Sequence, residues 1–168
     1  VWVSELQRLS QIAVCHPQAA YSAFVHGLRG KWLYLSRTIP DIKDLLQPLE
    51  DVLRHNFLPS LTGRSAPGDL ERQLMSLPAR FGGLGIIDPT GTAVEDHAAS
   101  LHLTSNLVCL LVQQNQHTPF DRSAYPAQKS KKDIHCARQQ RLCVEARAVY
   151  DQLPSTLQRA MDLASEKG

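Results

Sequence analysis

The sequence predicts an all-α fold, a multi-helix bundle joined by a Gly-rich turn to a second helical region. Apolar residues recur at three- and four-residue spacing over most of the chain, the period of a helix with one buried face. Proline and glycine fall between these stripes more often than within them, which divides the chain into helix-sized pieces. Three of the nine glycines crowd into four residues of Leu77-Pro78-Ala79-Arg80-Phe81-Gly82-Gly83-Leu84-Gly85-Ile86-Ile87, near the middle of the chain. Gly82, Gly83 and Gly85 allow positive φ and close backbone approach, which helices avoid. With Pro78, Phe81 and Leu84 they read as a structural joint, with at most a very short strand at 84–87. The stretch has neither the GxGxxG nor the GxxxxGK[ST] pattern of a phosphate-cradling loop.

A first helix is predicted over 3–15, with Val3, Leu6, Leu9 and Ala13 inward. Pro17 opens a second at its first helical position. There Ala20, Phe24, Leu28, Trp32 and Leu35 form the apolar stripe, and His26, Arg29 and Arg37 the opposite flank. Gly27 and Gly30 each cost roughly 1 kcal/mol in a helix interior, which predicts close packing or a bend. Pro40 ends this helix, and Asp41 can cap the next. Ile42, Leu45, Leu46, Leu49, Leu53 and Phe57 line its stripe, Pro48 kinks or restarts it, and Leu58-Pro59 stops it. Residues 62–68 read as a hinge loop, and Asp69 as the cap of a short helix with Leu70, Leu74 and Leu77 inward.

Beyond the joint, Asp88-Pro89 ends the short apolar run, and Thr92-Ala93-Val94-Glu95 reads as a capping box ahead of a helix presenting Val94, Ala98 and Leu101. A separate helix from about Ser105, rich in Leu107, Val108, Leu110, Leu111 and Val112, is predicted to be the most buried of this half. Residues 116–127 carry two prolines and little periodicity and read as a loop. A long helix over 129–152, basic at its start, is followed after Pro154 by a last one burying Leu157, Ala160, Met161 and Ala164.

Charge is informative in its distribution rather than its total. The net charge is +2, yet seven Lys/Arg lie between Arg122 and Arg147 against Asp133 and Glu145. Such a run is either a solvated face or a track for phosphates, and Lys131, Arg138 and Arg141 approximate one side of a helix. No aromatic platform for base stacking accompanies them. Cys15, Cys109, Cys136 and Cys143 make no CxxC pair, so they read as buried structural thiols in a reducing, intracellular setting, nucleus or cytoplasm. Cys136 and Cys143 share a face with no second ligand pair, so no metal site is expected. Glu50/Asp51 and Glu95/Asp96 point about 100° apart on a helix and form no shared acid–base or magnesium site. No catalytic residue is therefore assigned. No apolar run approaches membrane-spanning length, and no membrane partner is expected.

Several stretches together resemble the region just downstream of the palm in reverse transcriptases of non-LTR (LINE-type) retroelements. They are Trp2-Val3-Ser4-Glu5-Leu6, His16-Pro17-Gln18-Ala19-Ala20-Tyr21-Ser22-Ala23-Phe24-Val25-His26-Gly27-Leu28, Lys31-Trp32, Arg37-Thr38-Ile39-Pro40, Pro48-Leu49-Glu50, Phe57-Leu58-Pro59 and above all Leu77–Ile86. The resemblance implies a helical thumb over 1–80, the joint over 81–91, and a helical linker over 92–168. It implies a non-catalytic fragment of an RNA-directed DNA polymerase that grips a template–primer duplex, RNA–DNA or DNA, by its phosphate backbone. Arg29, Lys31, Arg37, Lys131, Arg138 and Arg141 would make those contacts. The magnesium-binding palm would lie before Val1, so no cofactor is expected within the fragment, and its remaining partner would be the rest of the parent polyprotein. The competing expectation is a helical interaction or remnant domain without nucleic-acid binding.

Overall fold

The computed structural model describes residues 1–113 and 127–165, and every regular element among the described residues is helical. α1 (Trp2–Cys15) ends at His16, and Pro17 opens α2 (Pro17–Ala23), where its missing N–H has no intrahelical partner to lose. The chain then passes without a break through a π-helical turn at Phe24–Leu28 into α3 (Arg29–Thr38). The predicted stripe is seen: Ala20, Phe24, Leu28 and Trp32 are buried. Nothing lies within 4 Å of a Cβ built on Gly27 or Gly30, so the widened turn, and not close packing, marks this stretch.

The next helix outlasts its expected stop. α4 (Lys43–Val52) carries Pro48 on its exposed side, passes a second π turn at Leu53–Phe57, and continues as α5 (Leu58–Thr62) to Gly63, whose φ of 68° ends it. Pro59 sits in the first turn of α5, where the change from π to α register has already displaced the hydrogen-bond ladder. Ile42, Leu46, Leu49, Leu53 and Phe57 are buried as predicted, but Leu45 is 76% exposed. Leu45 satisfies the spacing yet lies at the edge of a stripe too narrow to cover it. Where the two π turns meet, the Phe24 and Phe57 rings stack with centroids 5.0 Å apart, and Trp32 lies 5.9 Å from Phe24.

α6 (Asp69–Ser76) is capped by Gly68, whose N–H donates to the Glu71 carboxylate at 3.2 Å. Asp69, expected as the cap, is the first helical residue, and its carboxylate is taken by Arg54. Beyond the joint, α7 (Pro89–Gln113) is one helix where the sequence suggested two. Asp88 is its cap: Oδ1 accepts both the backbone N–H and the hydroxyl of Thr90 at 2.7 Å, four residues ahead of the expected capping box.

α7 packs against α3 and α4 through Ala93 and its neighbours, while Val94 and Leu101 face outward, reversing the predicted face. Leu107, Val108, Leu111 and Val112 are also exposed, contrary to the expectation of a most-buried helix. α3 and α4 meet α7 near its start, around Ala93, and its far end is left exposed among the described residues.

α8 (Ala127–Gln152) and α9 (Ser155–Ser165) follow, split at Pro154 as predicted. Ala146, Val149, Leu153 and Met161 form a second core with Leu77, backed by Leu70, Leu74, Phe81 and Tyr150. Leu157 and Ala160, expected inward, are exposed. The first core gathers α1 to α5 and takes in Ile86 and Ala93 from beyond the glycines. All four cysteines are exposed free thiols rather than buried ones, because each falls on an outer helix face. The predicted loop over 116–127 lies, apart from residue 127, outside the described residues.

Candidate nucleic-acid interface

The joint positions the site. Ala79–Phe81 make one 3-10 turn, and Gly82 and Gly85 take φ of 77° and 67°, values that L side chains resist. A Cβ on Gly83 would sit 2.0 Å from the Leu77 carbonyl oxygen, so only glycine fits. Residues 84–86 belong to neither helix nor sheet, and each backbone group still has a partner. The N–H groups of Leu84 and Ile86 donate to Met75 O at 3.2 Å, and that of Gly85 to Leu77 O at 2.8 Å. On the other side, the Leu84 carbonyl accepts from the Tyr21 hydroxyl at 2.7 Å, that of Gly85 from Arg29 at 3.1 Å, and that of Ile86 from Arg72 at 2.7 Å. Three side chains from three helices therefore replace the neighbouring strand that buried backbone otherwise requires.

Arg72 also grips Glu50 through two parallel bonds, Nε–Oε1 at 2.6 Å and Nη2–Oε2 at 2.7 Å, with both residues buried. Burial pushes the Glu50 carboxyl above its ordinary value, while the hydrogen bonds and charge of Arg72 pull it back. This pair was not legible in the sequence. Arg72 points away from Leu70 and Leu74, which normally means solvent, but α6 lies between the two cores and has two inward faces.

Between the joint, the start of α7 and α8 lies a cleft of about 740 Å³. Its walls carry five guanidinium groups, Arg29, Arg72, Arg80, Arg138 and Arg141, and three carboxylates, Asp88, Glu95 and Glu145. The cleft thus brings together Arg29, Arg138 and Arg141 of the six predicted phosphate contacts. Lys31 is placed elsewhere, paired with Glu5 at 2.8 Å, and Arg37 and Lys131 are exposed outside the cleft wall. Arg72 and Arg80 also line the cleft; neither lies in a basic run of the sequence, and Arg80 stands inside the Gly-rich joint.

The cleft's cations differ in availability. Arg72 is held by Glu50, Arg29 gives a bond to Gly85, and Arg80 donates to the Gln139 carboxamide. Arg141 is paired with Glu95 across the helix gap and with Glu145 at 3.2 Å along its own helix. Arg138 is exposed and makes no ion pair among the described residues. Guanidinium groups hold an anion by charge-assisted hydrogen bonds and cannot take up a proton from it, so the wall is suited to gripping a phosphate.

Among the described residues no three His, Cys, Asp or Glu side chains come together as a metal site would require, and no helix is long and apolar enough to cross a membrane. Compared with protein-family models, with curated proteins and with solved structures, the chain matches none.

Proposed function

We propose that this chain is a non-catalytic part of a retroelement RNA-directed DNA polymerase and grips a template–primer duplex by its phosphates. The observation that supports this reading is the arginine-lined cleft, where Arg29, Arg138 and Arg141 converge from distant parts of the chain. Phosphate contacts position a duplex without reading its sequence, which is what a polymerase needs of a grip. Titrating the 168-residue chain into a labelled RNA–DNA hybrid should give weak, sequence-tolerant binding. Its salt dependence should have a log–log slope of about −0.9 per phosphate neutralised. Replacing Lys131, Arg138 and Arg141 together by Gln should flatten the slope and leave helicity unchanged. An absence of salt-sensitive affinity at low ionic strength would overturn the proposal.

A second reading, a helical protein-interaction domain, is favoured by the exposed Leu107, Val108, Leu111 and Val112 on the far end of α7. It expects no salt-sensitive affinity for the hybrid, so the same titration separates the two.

A further inference from the structure

We infer that Arg141 is the gated cation of the cleft, masked by Glu95 and Glu145, which a phosphate must displace. The inference rests on the phosphate-gripping reading above and adds its regulation. Other charges of the cleft have structural uses: Asp88 caps α7, Arg72 is held by the buried Glu50, and Arg29 secures the joint. The Glu95–Arg141 pair differs. It is the ion pair joining α7 to α8 among the described residues, and Glu95 is half-exposed. Neither partner is needed by a cap, a turn or a core contact.

Glu95 is the open end of the pair, where water and salt compete for its carboxylate, while Arg141 is largely covered. A phosphate presents the same oxygen geometry to a guanidinium as a carboxylate does, and Arg138 stands one helical turn before Arg141 on the same wall. A phosphate seated between them would meet two guanidinium groups, whereas Glu95 engages one. Glu95 is thus an internal stand-in for the ligand: it keeps Arg141 extended into the cleft and gives way when a denser anion arrives. The local repulsion left by Glu95 and Glu145 also discriminates against single carboxylates, which gain too little to replace them.

The test uses the full chain and the same labelled RNA–DNA hybrid. Glu95→Gln keeps the side-chain shape and removes the competing charge. It should tighten binding about three- to five-fold at low salt and leave the number of phosphates neutralised, and so the salt slope, nearly unchanged, because Arg141 meets the phosphate in both chains. Asp69→Asn is the matched control: it makes the same charge change and removes the ion-pair partner of Arg54, which lies outside the cleft wall. It should leave affinity within about two-fold, as expected for an exposed pair remote from the contact. Adding Arg141→Gln to Glu95→Gln should cancel the gain, which shows that the effect passes through Arg141. If the wild-type chain binds with a salt-dependent slope but Glu95→Gln and Asp69→Asn are indistinguishable, the gate is wrong and the grip stands. If neither the wild type nor Glu95→Gln binds at low salt, the grip fails and takes the gate with it.

Discussion

Arg72 serves three acceptors with one planar fork, two oxygens of Glu50 and the carbonyl of Ile86, and all three are shielded from water. Removing one partner of such a pair leaves an uncompensated buried charge, so Arg72→Met should cost about 3–5 kcal/mol near neutral pH. The pH dependence follows from Glu50. Burial already holds its carboxyl above 4.5, and the causes that lower it come chiefly from Arg72. Without Arg72 the folded form binds the Glu50 proton more tightly still than the unfolded chain does. Stability of the variant should therefore fall as pH rises from about 4.5 through the raised folded value, more steeply than in the wild type. Urea denaturation at about pH 5 and about pH 7.5 measures this, and an equal loss at both would refute it. The pairing itself was hidden in the sequence, because 22 positions separate the partners and neither interrupts an apolar stripe.

The helices were readable one by one because burial of one face leaves a period of 3.6 in the chain, and the joint was readable because only glycine tolerates its backbone. What periodicity does not carry is length. Pro59 and Pro89 looked like stops, but one sits after a register change and the other opens a helix capped by Asp88. Nor does it carry coverage: the apolar far end of α7 has the composition of a core helix, yet Leu107, Val108, Leu111 and Val112 stay exposed among the described residues. Glycines separate the two kinds of element in a measurable way. Gly83→Ala places a methyl against the Leu77 carbonyl and should cost roughly 3 kcal/mol or more. Gly30→Ala, in the interior of α3 with nothing within 4 Å, should gain about 0.5–1 kcal/mol. Thermal unfolding of the two variants tests the pair, and a similar midpoint for both would contradict this account.

At the scale of the molecule, the cleft draws its arginines from α3, α6, the joint and α8, so no single stretch of sequence announces it. The basic run after residue 122 contains Arg138 and Arg141, but its excess of charge says nothing of Glu95, which arrives from another helix. The same dispersal gives residues 84–86 an arithmetic of their own. Tyr21, Arg29 and Arg72 each meet one successive carbonyl, so this stretch is counted residue by residue by three parts of the chain at once. One extra residue between Gly85 and Ile86 would put the spacing out of step with those donors, and side-chain flexibility cannot restore all three contacts. The same insertion between Arg64 and Ser65, both exposed in the loop after Gly63, meets no such constraint. Circular dichroism melting should show the loop insertion unfolding cooperatively within a few degrees of the parent, and the joint insertion without a sharp transition. In evolutionary terms the segment can change its letters more readily than its length: a lineage could vary Leu84 or Ile86 among apolar side chains, while gaps and additions would accumulate around residue 64.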